Sequence, residues 1–205
     1  GVTLKNAGTI TDVKEKDEAY IKNMPYDTTG AGAGKYKTIY GPASSVYHVK
    51  RSDDGYVGYK VGIAQVYENA EGYDQKNQIL ENAGKIDFRG ERSIGMYTYI
   101  PNDQSYVIMK NDSVGTISMS GKESYGMKFA AKMASNRASM INEGTIELRK
   151  NPDGNDKADN SAAMALMEDA TVSNNVTLNR GKALNKGTIN LKDVQNSLGM
   201  FVNID

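Results

Sequence analysis

The sequence predicts an all-β protein, a parallel β-helix (β-solenoid) that carries one long Tyr-rich insertion. Three observations predict it. A short motif, Asn then Gly then Thr-Ile, recurs along the chain. An alternating apolar–polar run starts at each Ile. A second motif, Ser-x-Gly-Met, follows the later runs. Self-similarity at roughly 30 residues marks a stacked array rather than a globule around one core.

The first motif reads Asn6-Ala-Gly-Thr-Ile10, Asn82-Ala-Gly-Lys-Ile86, Asn111-Asp-Ser-Val-Gly-Thr-Ile117, Asn142-Glu-Gly-Thr-Ile146 and Asn185-Lys-Gly-Thr-Ile189. Counted Ile to Ile, the copies fall 76, 31, 29 and 43 residues apart. The Asn is a corner residue. Such an Asn tolerates a left-handed backbone and bonds to nearby backbone. Identical Asn side chains in successive coils also hydrogen-bond to one another as a ladder. The Gly permits a bend that a Cβ would obstruct. Both residues are read as structural rather than ligand-binding.

From each Ile the residues alternate: Ile86-Asp-Phe88-Arg, Ile117-Ser-Met119-Ser, Ile146-Glu-Leu148-Arg and Ile189-Asn-Leu191-Lys. Period two with one apolar face is a half-buried strand. Stacked in register, the strands should place Ile86, Ile117, Ile146 and Ile189 in one inner column. Asp87, Ser118, Glu147 and Asn190 should form a solvated outer column, beside Arg89, Ser120, Arg149 and Lys192. The first copy is weaker, because Thr11, Asp12 and Val13 follow Ile10.

The second motif reads Ser93-Ile-Gly-Met96, Ser124-Tyr-Gly-Met127, Ser161-Ala-Ala-Met164 and Ser197-Leu-Gly-Met200. Val61-Gly-Ile63 fits the same slot without the Ser. The Met side chains are core filler. From strand Ile to this apolar residue the spacing is 10, 10 and 11 residues in three copies, 18 from Ile146 and 53 from Ile10. One joint of the repeat therefore accepts insertions, and repeat solenoids place these as loops on one face. The expected organisation is a coil at 1–12, an insertion at 13–58 and coils at 59–205, with a short insertion at 150–158. Both insertions should leave the same edge of the rod. Lys128–Ser135 and Ser161–Glu168 are Ala-rich and helical by propensity. They occupy strand positions in the repeat, and the repeat takes precedence.

Composition agrees with a slim core. Of 205 residues 39% are hydrophobic, and the mean hydropathy is −0.58. A solenoid tolerates this because only alternate strand residues point inward. Twenty-five basic and 25 acidic residues cancel, so no electrostatic case for nucleic acid or an anionic membrane exists. No apolar run is long enough to span a bilayer, and no signal peptide is present. The first residues lead straight into a repeat and the last stop inside another, so the chain reads as a piece of a longer protein with targeting signals elsewhere. Cysteine is absent, which excludes disulfides, thiol catalysis and Cys-ligated zinc.

The pattern Gly-x-x-Ser-x-Gly-Met, then a variable stretch, then Asn-x-Gly-Thr-Ile, resembles the passenger repeats of large fusobacterial-type autotransporter adhesins. Gly90 to Met96 leading to Asn111–Ile117, and Gly121 to Met127 leading to Asn142–Ile146, carry the likeness. It covers roughly residues 60–205 and the first ten, and not 13–58. The resemblance implies a right-handed parallel β-helix, exported through the outer membrane and displayed on the bacterial surface. It implies attachment to host cells or other bacteria through a surface protein or glycan, and no catalytic residue comes with it. A monomer without cofactor or metal is expected, anchored by a part of the parent protein outside this chain.

Other chemical motifs are weak. Gly30-Ala-Gly-Ala-Gly-Lys35 resembles a phosphate loop, but Thr29 and Tyr36 stand where Gly and Ser/Thr belong. It reads as a hinge or tight turn. His48 is the sole histidine, a packed or partly exposed side chain rather than a ligand. Asp53-Asp54-Gly55 is a turn. Residues 151–160 are rich in oxygen ligands yet lack EF-hand spacing and the calcium-binding nonapeptide, so they read as a solvated loop. A polysaccharide-acting enzyme is a competing class, with Asp87 and Glu147 two coils apart as its carboxylates. A passive stalk is a third. The insertion carries Tyr20, Tyr26, Tyr36, Tyr40, Tyr47 and Tyr56. Tyrosines give contact area at low entropic cost, and they also make small cores. Tyr26, Tyr36, Tyr40 and Tyr47 are the candidate partner-binding residues.

Overall fold

The computed structural model describes residues 2–12, 26–27, 35–36, 48–50, 56–58, 60–66, 78–100, 107–131, 138–168 and 182–203. The first coil holds β1 (Thr3–Asn6), β2 (Thr9–Thr11) and, after an excursion, β7 (Lys60–Val66). The excursion contributes β3 (Tyr26–Asp27), β4 (Lys35–Tyr36), β5 (His48–Lys50) and β6 (Tyr56–Gly58). The second coil is β8 (Gln78–Asn82), β9 (Lys85–Phe88) and β10 (Ser93–Ile100). The third is β11 (Val107–Asn111), β12 (Thr116–Met119) and β13 (Tyr125–Ala131). The fourth is β14 (Ala138–Asn142), β15 (Thr145–Arg149) and β16 (Ala162–Glu168). The fifth is β17 (Lys182–Asn185), β18 (Thr188–Lys192) and β19 (Leu198–Asn203).

Each coil gives one strand to each of three five-stranded sheets, and every pair within them is parallel. The fold is a parallel β-helix, as the repeat predicts. The described part of the first Ala-rich segment, Lys128–Ala131, and nearly all of the second, Ala162–Glu168, are strand, in β13 and β16, so ladder pairing overrides helix propensity there.

The register follows the motif. Ile10, Ile86, Ile117, Ile146 and Ile189 are successive partners. Ile63, Met96, Met127, Met164 and Met200 form a second column. A third column, Leu4, Leu80, Met109, Met140 and Ala183, lines the sheet that precedes the Asn corner. Central members of all three are fully buried. Burial fades at the ends of the stack, where Leu4 is 48% exposed and Met200 46%.

The Asn corner is a continuous amide ladder. Asn6 Nδ2 donates to Asn82 Oδ1, Asn82 to Asn111, Asn111 to Asn142 and Asn142 to Asn185, each at 2.8 Å. The expected left-handed conformation does not occur at these residues. Besides Asp193 (φ 56°), it occurs one corner later, at Arg92, Glu123, Asn160 and Asn196, with φ between 52° and 55°. Each of these four precedes the Ser of the second motif and lets the chain turn into the third sheet. The serines then form their own ladder: the N–H of Ser93 donates to Ser124 Oγ at 3.1 Å, Ser124 to Ser161 at 2.9 Å and Ser161 to Ser197 at 3.2 Å.

The glycines answer to close stacking rather than bending. A Cβ on Gly144 would sit 2.2 Å from the Gly115 carbonyl oxygen. One on Gly95 would sit 2.5 Å from the Gly126 carbonyl oxygen and 2.9 Å from Ile117 Cγ2. Coils approach each other here more closely than any side chain permits.

Candidate binding surface

Both departures from the repeat leave the same corner. The long one runs from Asp12 to Lys60, between β2 and β7; the short one runs from Lys150 to Lys157, between β15 and β16. The shared edge follows from register, because every coil must re-enter the third sheet at one place.

The long excursion is clamped at its neck. The Lys60 ammonium pairs with the Asp12 carboxylate. Asp12 also accepts the N–H groups of Arg89 at 2.7 Å and Gly90 at 2.9 Å from the next coil. Burial pushes the Asp12 carboxyl upward, but these donors outweigh it and hold the group below its ordinary range. Lys60 stands in the slot that Ser fills in later coils, so the motif's one exception at this corner supplies the clamp.

Of the four candidate tyrosines, the structure brings two together: Tyr26 and Tyr36 are opposite one another in the antiparallel β3–β4 pair. Tyr40 and Tyr47 lie outside the described residues. His48 lies in β5, opposite Gly58. Lys35 lies in a strand rather than at a helix start, against a phosphate loop. The Asp53-Asp54-Gly55 turn also falls outside the described residues.

The outer face of the Ile sheet departs from the sequence-based expectation. Asp87 is only 3% exposed, and Ser118 and Ser120 are buried too. The expected solvated columns are roofed. Arg149 reaches back over Ser118, placing its guanidinium 3.3 Å from Asp87 Oδ1 and 3.2 Å from Glu147 Oε2. Lys85 stands 3.2 Å from Asp87 and Arg89 3.6 Å. Lys192 pairs with Glu147 at 2.5 Å. The physical reason is reach: two coil spacings are about 9.6 Å, a gap that the arginine and aspartate side chains span together. Asp87 and Glu147 are therefore tied through one guanidinium, with Ser118 beneath it.

The short excursion adds to the roof. Lys150 and Lys157 bridge antiparallel, and the Asn151 N–H donates to the Asp156 carbonyl at 2.8 Å. From its tip, Asp153 pairs with Arg89. On its other side is a polar cleft of about 730 Å³, with Glu91, Lys122, Asn155, Lys157 and Asn160 among its lining residues. The loop is solvated as expected, with Pro152 to Asp156 exposed, and it is held in a defined turn. Its Asn151 side-chain oxygen accepts the Asp153 N–H at 3.0 Å. Among the described residues no group of three or more His, Asp or Glu is placed to hold a metal ion.

Sequence reasoning placed Arg89 and Arg149 in one outer column but missed their span across coils. The signal available was a long cation two positions after a carboxylate, repeated in alternate coils. Among the described residues no helix is long and apolar enough to cross a membrane.

Fold and surface together define a class: a β-helical rod with an ion-paired flank and excursions gathered on one edge. No family model, curated protein or solved structure matches the chain.

Proposed function

We propose that this protein is an attachment module, a rigid β-helical scaffold that presents the residue 13–58 excursion to a partner on a host-cell or bacterial surface. One observation carries the reading. An insertion that the coils do not need for closure is clamped to the rod at its neck by Asp12, Lys60 and the backbone of the next coil. A rigid scaffold holding a variable loop is the usual architecture of recognition. The resemblance of the Asn-x-Gly-Thr-Ile and Ser-x-Gly-Met repeats to autotransporter passengers supports display outside the cell. Tyr26, Tyr36, Tyr40 and Tyr47 are the proposed contact residues, with a surface protein or glycan as ligand. The locked Asp87–Arg149–Glu147 arrangement favours this reading over a polysaccharide-cleaving enzyme built on that pair.

The test replaces residues 14–57 with a short Gly-Ser link from Val13 to Gly58, next to the Asp12–Lys60 pair that already closes the neck. Circular dichroism should still report a folded β protein. Beads coated with the shortened protein should attach to host-cell monolayers and to bacteria no better than uncoated beads. Undiminished attachment would place the function on the rod.

A further inference from the structure

Three buried polar atoms on the outer face of the Ile sheet have no hydrogen-bond partner among the described residues: Arg89 Nε, Ser120 Oγ and Arg149 Nε. They belong to one column on three successive coils. The Ser120 N–H donates to the Phe88 carbonyl at 2.8 Å, which sets Ser120 beside Arg89. Met119 pairs with Leu148, which sets Ser120 beside Arg149 on the other side. Ser120 is fully buried. Orphaned buried polar groups are rare and call for a specific explanation.

The chemistry of the three atoms selects their partner. Each guanidinium Nε only donates, and the hydroxyl can donate, so a group rich in acceptor oxygens satisfies all three. The local charge agrees. Lys85, Arg89, Arg149 and Lys192 face Asp87 and Glu147, and the third carboxylate, Asp153, arrives from the strap. Without Asp153 the cations outnumber the carboxylates by two. Asp153 is itself 73% exposed at its side chain and rests on Arg89 as an acidic ligand would.

We propose that Arg89, Ser120 and Arg149 form an anion site for a sulfate or carboxylate group, as carried by an acidic saccharide, and that Asp153 competes for it. The bidentate geometry of arginine suits such oxyanions. Binding displaces Asp153 from Arg89 and lifts the strap. The site gives the attachment reading a ligand class and rests on that reading for its biological meaning. None of its three residues falls within 14–57, so a failed attachment test and a failed binding test are separate results.

Isothermal titration at fixed ionic strength tests it, with inorganic sulfate, a sulfated disaccharide and the same disaccharide unsulfated. Saturable binding of the sulfated sugar above that of free sulfate supports a saccharide ligand. Equal binding of both supports the anion alone. Asp153→Asn should strengthen binding by about fivefold, the equilibrium factor of one exposed ion pair. Arg89→Lys keeps the charge, removes Nε and should abolish binding, with circular dichroism confirming the fold. Equal binding of the unsulfated sugar would overturn the proposal. So would absence of sulfate binding in both the native protein and Asp153→Asn, which would leave water as the partner of the three atoms.

Discussion

The amide ladder makes a sharp prediction at Asn111. This side chain accepts from Asn82 Nδ2 and donates to Asn142 Oδ1, both at 2.8 Å. Its Nδ2 also approaches the Gly115 and Thr145 carbonyl oxygens at 3.2 and 3.4 Å. It is fully buried. Asn111→Asp keeps the shape and the acceptor but replaces the donor with a charged oxygen. That oxygen then faces three acceptors inside the rod. An unpaired buried charge of this kind costs about 3–5 kcal/mol. For a chain of this size that is a fall in melting temperature of roughly 6–20 °C. Burial and acceptor neighbours raise the carboxyl's pKa in the folded state, so the deficit belongs to the ionised form. It should be full at neutral pH and shrink, relative to wild type, as pH falls towards the unfolded-state value. Asn185→Asp, at the exposed end of the ladder, should cost less than about 1 kcal/mol. The assay is thermal unfolding by circular dichroism at several pH values. Equal losses at 111 and 185, or a deficit at 111 that ignores pH, would refute the ladder as a source of stability.

Two further outcomes follow from geometry given above. Gly95→Ala puts a Cβ 2.5 Å from a neighbouring carbonyl oxygen and should cost about 1–3 kcal/mol, whereas Gly154→Ala meets only the Asn151 side chain at 3.3 Å and should stay within about 0.5 kcal/mol by urea unfolding. The Asp12 carboxyl is held below its ordinary value, so its contribution is present at neutral pH and fades as pH drops from the ordinary carboxylate range through the lower folded value. The stability gap between wild type and Asp12→Asn should therefore be widest near pH 7 and close in acid. A gap that is constant with pH would contradict the clamp.

The sequence made the Ile column, the Met column and the Asn ladder legible because the same letters return at each coil. The third column was hidden, since Leu4, Leu80, Met109, Met140 and Ala183 share only their apolarity. The left-handed residues were hidden for a related reason. Arg92, Glu123, Asn160 and Asn196 have no common side chain, and only their place before a Ser unites them. Inward and outward faces were read correctly, but outward was equated with solvated. Arg149 breaks that equation by bridging Asp87 to Glu147 across an intervening coil, a matter of side-chain length that period-two alternation does not encode. At the excursion, the insertion point was visible as a spacing anomaly. The Asp12–Lys60 clamp was not, because the two residues are 48 positions apart and Lys60 replaces the Ser that marks this position in later coils.

The unequal spacing of the ladder also orders assembly in time. Joining Asn82 to Asn111 closes 29 residues of chain, whereas joining Asn6 to Asn82 closes 76. The longer closure costs about 0.9 kcal/mol more in chain entropy. Contacts between the second and third coils thus form ahead of those with the first, and the growing stack offers a finished edge to β1 and β2. On loop closure alone, β1 and β2 are expected to dock onto a second coil that is already paired with the third.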